Sequence, residues 1–119
     1  MRSRSLLTFS ALIFCTVALL LSGCKPLPPS KPASEWTPQE ASGAEVFAHA
    51  CARCHYPTTA HSLHGPGLQA ITKVKSLPSG APPTDERITD RIIHGYGTMP
   101  ATHLTDEQLQ NLLAYLHTL

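Results

Sequence analysis

The stretch Cys51-Ala52-Arg53-Cys54-His55 decides the reading of this chain. Two thiols three residues apart, followed at once by an imidazole, spell the C-x-x-C-H signature of covalent haem attachment. The thiols add across the two haem vinyl groups, and the histidine reaches the iron from the same short segment. A bare C-x-x-C also serves thiol–disulfide exchange, but that use comes with a βαβ context, and no strand pattern flanks the motif. C-x-x-C is likewise half of a zinc site. No second cysteine pair exists, and the nitrogens of His49, His55, His61 and His64 keep zinc open as an alternative. One covalently held haem points to electron transfer.

Working outward to the N-terminus, Arg2 and Arg4 begin a segment whose residues 6–21 are almost wholly apolar or small, closed by Leu21-Ser22-Gly23-Cys24. Positive, apolar and small-residue regions in that order predict a signal peptide at 1–23. The apolar run is short for a membrane span, which takes roughly 18 or more residues. Leu-Ser-Gly-Cys resembles a bacterial lipobox, whose cysteine is acylated and becomes the new N-terminus, so Cys24 is the expected lipid-bearing residue. A secreted form cut nearby and an uncut anchor are the alternatives. The four cysteines then divide by role. Cys15 leaves with the leader, Cys24 takes lipid, Cys51 and Cys54 take haem, and none is left for a disulfide. Loss of Arg2 and Arg4 takes the nine Lys and Arg to seven, against eight Asp and Glu. Such a chain has no strongly basic face for nucleic acid.

A chain of 119 residues is too short for more than one ordinary domain. Residues 24–38 read as the lipidated cysteine and a tether interrupted by Pro26, Pro28, Pro29, Pro32 and Pro38. Polyproline-like chain rises about 3.1 Å per residue, a reach on the order of 40 Å. Trp36 closes the tether, and its place, on the domain or among lipid head groups, stays open at this level. The folded domain is expected at 39–119 and is all-helical. Thr37-Pro38-Gln39-Glu40 and Ser42-Gly43-Ala44-Glu45 are both capping boxes for the first helix. Gly43, Phe47 and Cys51 then recur along one face. Pro82 and Pro83, Asp85 and Glu86, and Gly95 delimit a second helix at 84–94. Thr105-Asp106-Glu107-Gln108 opens a third, with Leu109, Leu112, Leu113 and Leu116 at the amphipathic period. Residues 56–83 form a long Gly-, Pro- and Ser-rich connection with a short helix expected near 68–74. So small a core needs a staple, and a haem wrapped by that loop supplies it.

After leader removal Met99 is the sole methionine. It lies in Gly95-Tyr96-Gly97-Thr98-Met99-Pro100, off any apolar helix face, which favours iron ligation over core packing. With these residues in order, the chain resembles the class I (mono-haem) cytochrome c domains, in a bacterial lipoprotein form. The likeness covers residues 43–119. It rests on Gly43 and Phe47, the C-A-R-C-H motif, Gly65-Pro66-Gly67-Leu68, Ile92 and Gly95, Met99-Pro100, and the Leu- and Tyr-bearing last helix. It implies a small cytochrome c fold of three to four short helices and loops around one covalent haem c. Cys51 and Cys54 would make the thioether links. His55 would be the proximal ligand through Nε2, its Nδ1–H bonded to the Pro66 carbonyl. Leu68 would pack on the haem, Met99 would be the distal ligand, and the first and last helices would cross near Gly43.

The resemblance further implies a one-electron carrier cycling Fe(III)/Fe(II), its potential raised by His/Met ligation. Its partners would be a redox protein donor and acceptor, with no small-molecule substrate and no turnover. Haem of this type is attached outside the bacterial inner membrane, so the chain is expected on the periplasmic side, lipid-anchored to the inner or the outer membrane. Lys25 rather than Asp after Cys24 permits outer-membrane transfer in many enteric-type bacteria. Three alternatives accompany this reading. A histidine, His94 or His103 being nearest in sequence, replaces Met99; or the iron is open, as in peroxidase-like or gas-binding proteins; or the chain is an electron-transfer subunit of a larger oxidoreductase.

Overall fold

The computed structural model describes residues 26–119; the leader expected at 1–23 and the lipid-bearing Cys24 lie outside the described residues. A 3-10 turn at Ala33–Glu35 precedes three helices: α1 (Pro38–Ala50), α2 (Asp85–His94) and α3 (Asp106–Leu116). Among the described residues there is no strand, only an isolated bridge between Tyr96 and Met99. No described helix is long and apolar enough to cross a membrane.

Each helix starts where its side chains can satisfy free N–H groups. For α1 the first of the two boxes is used: Glu40 N donates to Thr37 Oγ1 at 3.2 Å and Thr37 N donates to Glu40 Oε2 at 2.6 Å. Pro38 occupies the first helical position, where a missing N–H costs nothing. Ser42 is consequently an interior residue. Thr84 caps α2, which ends at Gly95, and Thr105 with Gln108 forms the reciprocal box of α3.

The short helix expected near 68–74 does not form. Ala70, fully buried, adopts φ 56°, a left-handed conformation that interrupts a right-handed helix. The chain turns there instead, and Lys73 N and Val74 N both donate to Ala70 O, at 2.8 and 3.0 Å.

The core is Phe47 from α1, Ile88 and Ile92 from α2, and Leu112, Tyr115 and Leu116 with Leu119 from α3 and its end. α1 and α3 cross at Gly43. A Cβ there would meet the backbone carbonyl of Asn111, with its carbon at 2.6 Å, and Tyr115 Cβ at 2.8 Å. Only glycine lets the two backbones come this close. Phe47 and Tyr115 fill the space beside the crossing, ring centroids 5.4 Å apart.

Much of the segment expected to run as a free spacer lies on the domain. Lys31 N donates to Thr118 O at 2.7 Å, Lys31 Nζ pairs with Glu40 Oε2 at 2.8 Å, and Trp36 Nε1 donates to Lys31 O at 3.1 Å. The Trp36 ring stands edge-on to Tyr115 at 5.3 Å, an aromatic geometry that adds to simple area burial. Pro32 and Trp36 have extended backbone on either side of the 3-10 turn, and a tryptophan with an apolar partner in reach docks the stretch.

Candidate functional site

The C-A-R-C-H motif is the last turn of α1 continued. Cys51 N and Ala52 N donate to Phe47 O at 2.8 and 3.0 Å, and Cys54 N and His55 N donate to Cys51 O at 2.9 and 3.0 Å. One helical turn thus carries Cys51, Cys54 and His55 at i, i+3 and i+4, positions that share a face. The packing of Phe47 against α3 anchors that turn, so the motif inherits the rigidity of the helix crossing.

His55 is held from the other side by the loop. Its Nδ1 lies 2.8 Å from Pro66 O. A carbonyl only accepts, so Nδ1 carries the proton, and in the neutral ring Nε2 keeps its lone pair. The loop is drawn in by Gly65 N donating to Cys54 O at 2.8 Å and Leu68 N donating to Tyr56 O at 2.9 Å. Gly65 lies flat against the imidazole: an added Cβ would come within 2.9 Å of Nδ1 and 3.0 Å of Nε2. The structure therefore brings Cys51, Cys54, His55, Pro66 and Leu68 together. Met99 stands on a separate loop after α2. There Tyr96 and Met99 exchange backbone bonds of 3.0 Å each, and Thr102 N donates to Ile92 O at 2.8 Å, tying the loop to α2. Leu68, Ile71, Met99, Leu104, Leu109 and Leu113 are half-buried against the core.

These residues fit a covalently held haem. Cys51 and Cys54 are free thiols, each partly buried. Burial pushes the Cys51 thiol up to about 11, with Cys54 beside it adding to the rise. It is thus neutral near pH 7, whereas a thiol–disulfide exchanger needs a thiolate. Among the described residues, no group of three or more His, Cys, Asp or Glu side chains gathers as a metal site. The half-buried apolar side chains offer a wall for an apolar disc. Thr72 Oγ1 is buried with no hydrogen-bond partner, a polar group that a bound ligand or water would satisfy.

The other six histidines are exposed. His94 Nδ1 donates to Asp90 Oδ1 at 3.0 Å and His117 Nε2 to Asp85 Oδ1 at 2.9 Å. Both are surface pairs along α2 and the end of α3. Sequence reasoning singled out the Gly-Pro-Gly-Leu run but not the contact of Gly65 with the ring, and Thr72 went unremarked. The flanking of Pro66 by two glycines was the signal for the first; nothing in the sequence marked the second.

A family whose model is described as cytochrome c oxidase, cbb3-type, subunit III matches residues 38–116. Among solved structures, the chain is similar to the c-type cytochrome SorU from Sinorhizobium meliloti. Identity is 30%, the match covers 67% of this chain and 88% of that one, and the TM-score is 0.49. No curated protein matches. The matched span runs from the first residue of α1 to the last of α3 and includes the whole C-A-R-C-H turn. The chain therefore belongs to that family of c-type cytochromes, and it transfers electrons by means of covalently bound haem c.

Proposed function

We propose that this chain is a mono-haem, lipid-anchored one-electron carrier, with His55 and Met99 as the axial ligands and Cys51 and Cys54 as the thioether positions. The observation that carries it is the 2.8 Å contact between His55 Nδ1 and Pro66 O. It fixes the tautomer that leaves Nε2 available and raises the basicity of the ring. Haem c, when bound, supplies the Fe(III)/Fe(II) couple. This chain's residues do the rest. The α1 turn presents the three attaching groups together, Gly65 and Pro66 hold the imidazole in one orientation, and Leu68 would pack on the haem. A thioether at Met99 is a soft donor that raises the potential and keeps small oxidants from the sixth position. On this reading the chain turns over no substrate and exchanges electrons with a protein donor and a protein acceptor. Residues 1–23 are the leader, Cys24 bears the lipid, and 39–119 form the haem domain on the periplasmic side of a bacterial membrane.

The test is an absorption spectrum of the oxidised protein into the far red. A weak sulfur-to-iron band, lost in Met99→Ala together with a fall in potential, is the expected outcome. Absence of that band in the parent protein, with carbon monoxide binding to the reduced form, would assign the chain to open-site haem proteins. The description of the matching family favours a second reading, an electron-transfer subunit of a larger oxidase. Isolation from the membrane in a stable complex, rather than as a free chain, would select it.

A further inference from the structure

Docking of residues 28–36 changes what a lipid on Cys24 would do. A free spacer over 24–38 would let the domain range on the order of 40 Å from the bilayer. In the structure the chain is already captured at Pro28, whose carbonyl accepts from Gln69 Nε2 at 3.2 Å. Ser30 Oγ donates to Leu119 O at 3.4 Å, Lys31 N to Thr118 O at 2.7 Å, and the Trp36 ring closes the segment on Tyr115. Four residue steps separate Cys24 from Pro28. Fully extended chain spans about 3.3–3.6 Å per residue, so their reach is at most ~14 Å.

We propose that residues 28–36 are a strap that holds the domain against the membrane surface, with the face around Pro28 and Gln69 next to lipid head groups. This rests on the reading that Cys24 is acylated. The bilayer is the occupant because the strap leaves too little free chain for the domain to turn that face away. Lys31, the only cation within residues 28–36, is already paired with Glu40. Gln69 follows Leu68 directly, so Pro28, where the strap is first held, lies beside the loop that folds back onto His55. The site is thereby kept near the membrane, where membrane-seated or membrane-apposed redox proteins are the partners within reach, and freely roaming contact far above the bilayer is excluded.

The experiment uses the acylated, haem-loaded protein in phosphatidylcholine vesicles containing a fluorescent head-group lipid, with haem as the energy-transfer acceptor. Strong quenching is expected for the parent protein. It should fall in a variant with a Gly–Ser segment inserted between Leu27 and Pro28, which lengthens the reach while leaving the strap intact. It should also fall in Lys31→Pro combined with Trp36→Ala, which removes the amide donor and the ring. Equal quenching in the parent and the insertion variant would overturn the proposal. Because the double variant risks misfolding, hydrogen exchange on the parent protein provides a second readout. A protected Lys31 amide is expected, and an amide exchanging as fast as free chain would overturn the strap. Failure of the underlying reading is seen separately. A mass lacking acyl groups, with no partition into vesicles, would remove the lipid and the membrane-facing surface with it, whereas an acylated protein with weak quenching removes the strap alone.

Discussion

At the scale of single residues, the site depends on how His55 is gripped. The Pro66 carbonyl takes its Nδ1–H at 2.8 Å, and Gly65 leaves no room for a side chain against the ring. Gly65→Ala is expected to tilt the imidazole and break that bond. A ring that loses its carbonyl acceptor is a weaker donor to ferric iron, so the reduction midpoint should rise, as protein-film voltammetry would read. An unchanged midpoint would mean that the contact does not tune the ligand. The motif and Pro66 were legible from the chain alone because their chemistry is written in residue type and short spacing. That Gly65 touches the ring was not, because the contact joins positions ten residues apart through a loop with no regular period.

At the scale of elements, the caps and the helix crossing set the frame. Thr105 closes a reciprocal box with Gln108, bonds of 3.2 and 2.9 Å. Thr105→Ala should cost about 1 kcal/mol, measurable as a lower denaturant midpoint with unchanged slope. Gly43→Ala sets two effects against each other. Alanine gains about 1 kcal/mol of helix propensity, while overpacking a tight interface costs about 1–3 kcal/mol. The new Cβ would strike the Asn111 backbone, which cannot rotate aside as a side chain would. The clash should therefore win, giving net destabilisation in equilibrium unfolding of the haem-loaded protein; a stabilised variant would show that the helices part at little cost. The three helices were legible from capping residues and apolar period. The helix expected at 68–74 was not a helix, because a buried left-handed Ala70 serves the packing of the loop against local propensity.

At the scale of the whole molecule, the N-terminal strap and the C-terminal end are one unit. The Lys31 ammonium hydrogen-bonded to its side chain, then the Thr37 N–H, hold the Glu40 carboxyl below its ordinary value of 4.5. A carboxylate depressed in the folded state adds stability that is present above the unfolded value and lost as pH falls through the folded one. Stability should therefore decline on acidification below about pH 4.5, the unfolded reference, and Glu40→Gln should flatten that decline in urea titrations across the acid range. An identical acid profile in the variant would place the loss in other carboxylates.

What the amino-acid sequence determined by itself is what depends on neighbours along the chain. The C-x-x-C-H turn, the capped ends of α1, α2 and α3, and the apolar stripe of Leu109, Leu112, Leu113 and Leu116 all fall within one or two helical turns, where spacing maps directly onto geometry. Tertiary structure alone decided the rest. Residues 28–36 have the composition of a spacer, yet they dock because Trp36 meets Tyr115 and Lys31 meets Thr118 and Glu40, partners that lie up to 87 positions away along the chain. Contacts of that kind leave no local period to read, since they form only after α1 and α3 have crossed and brought the two ends of the domain together.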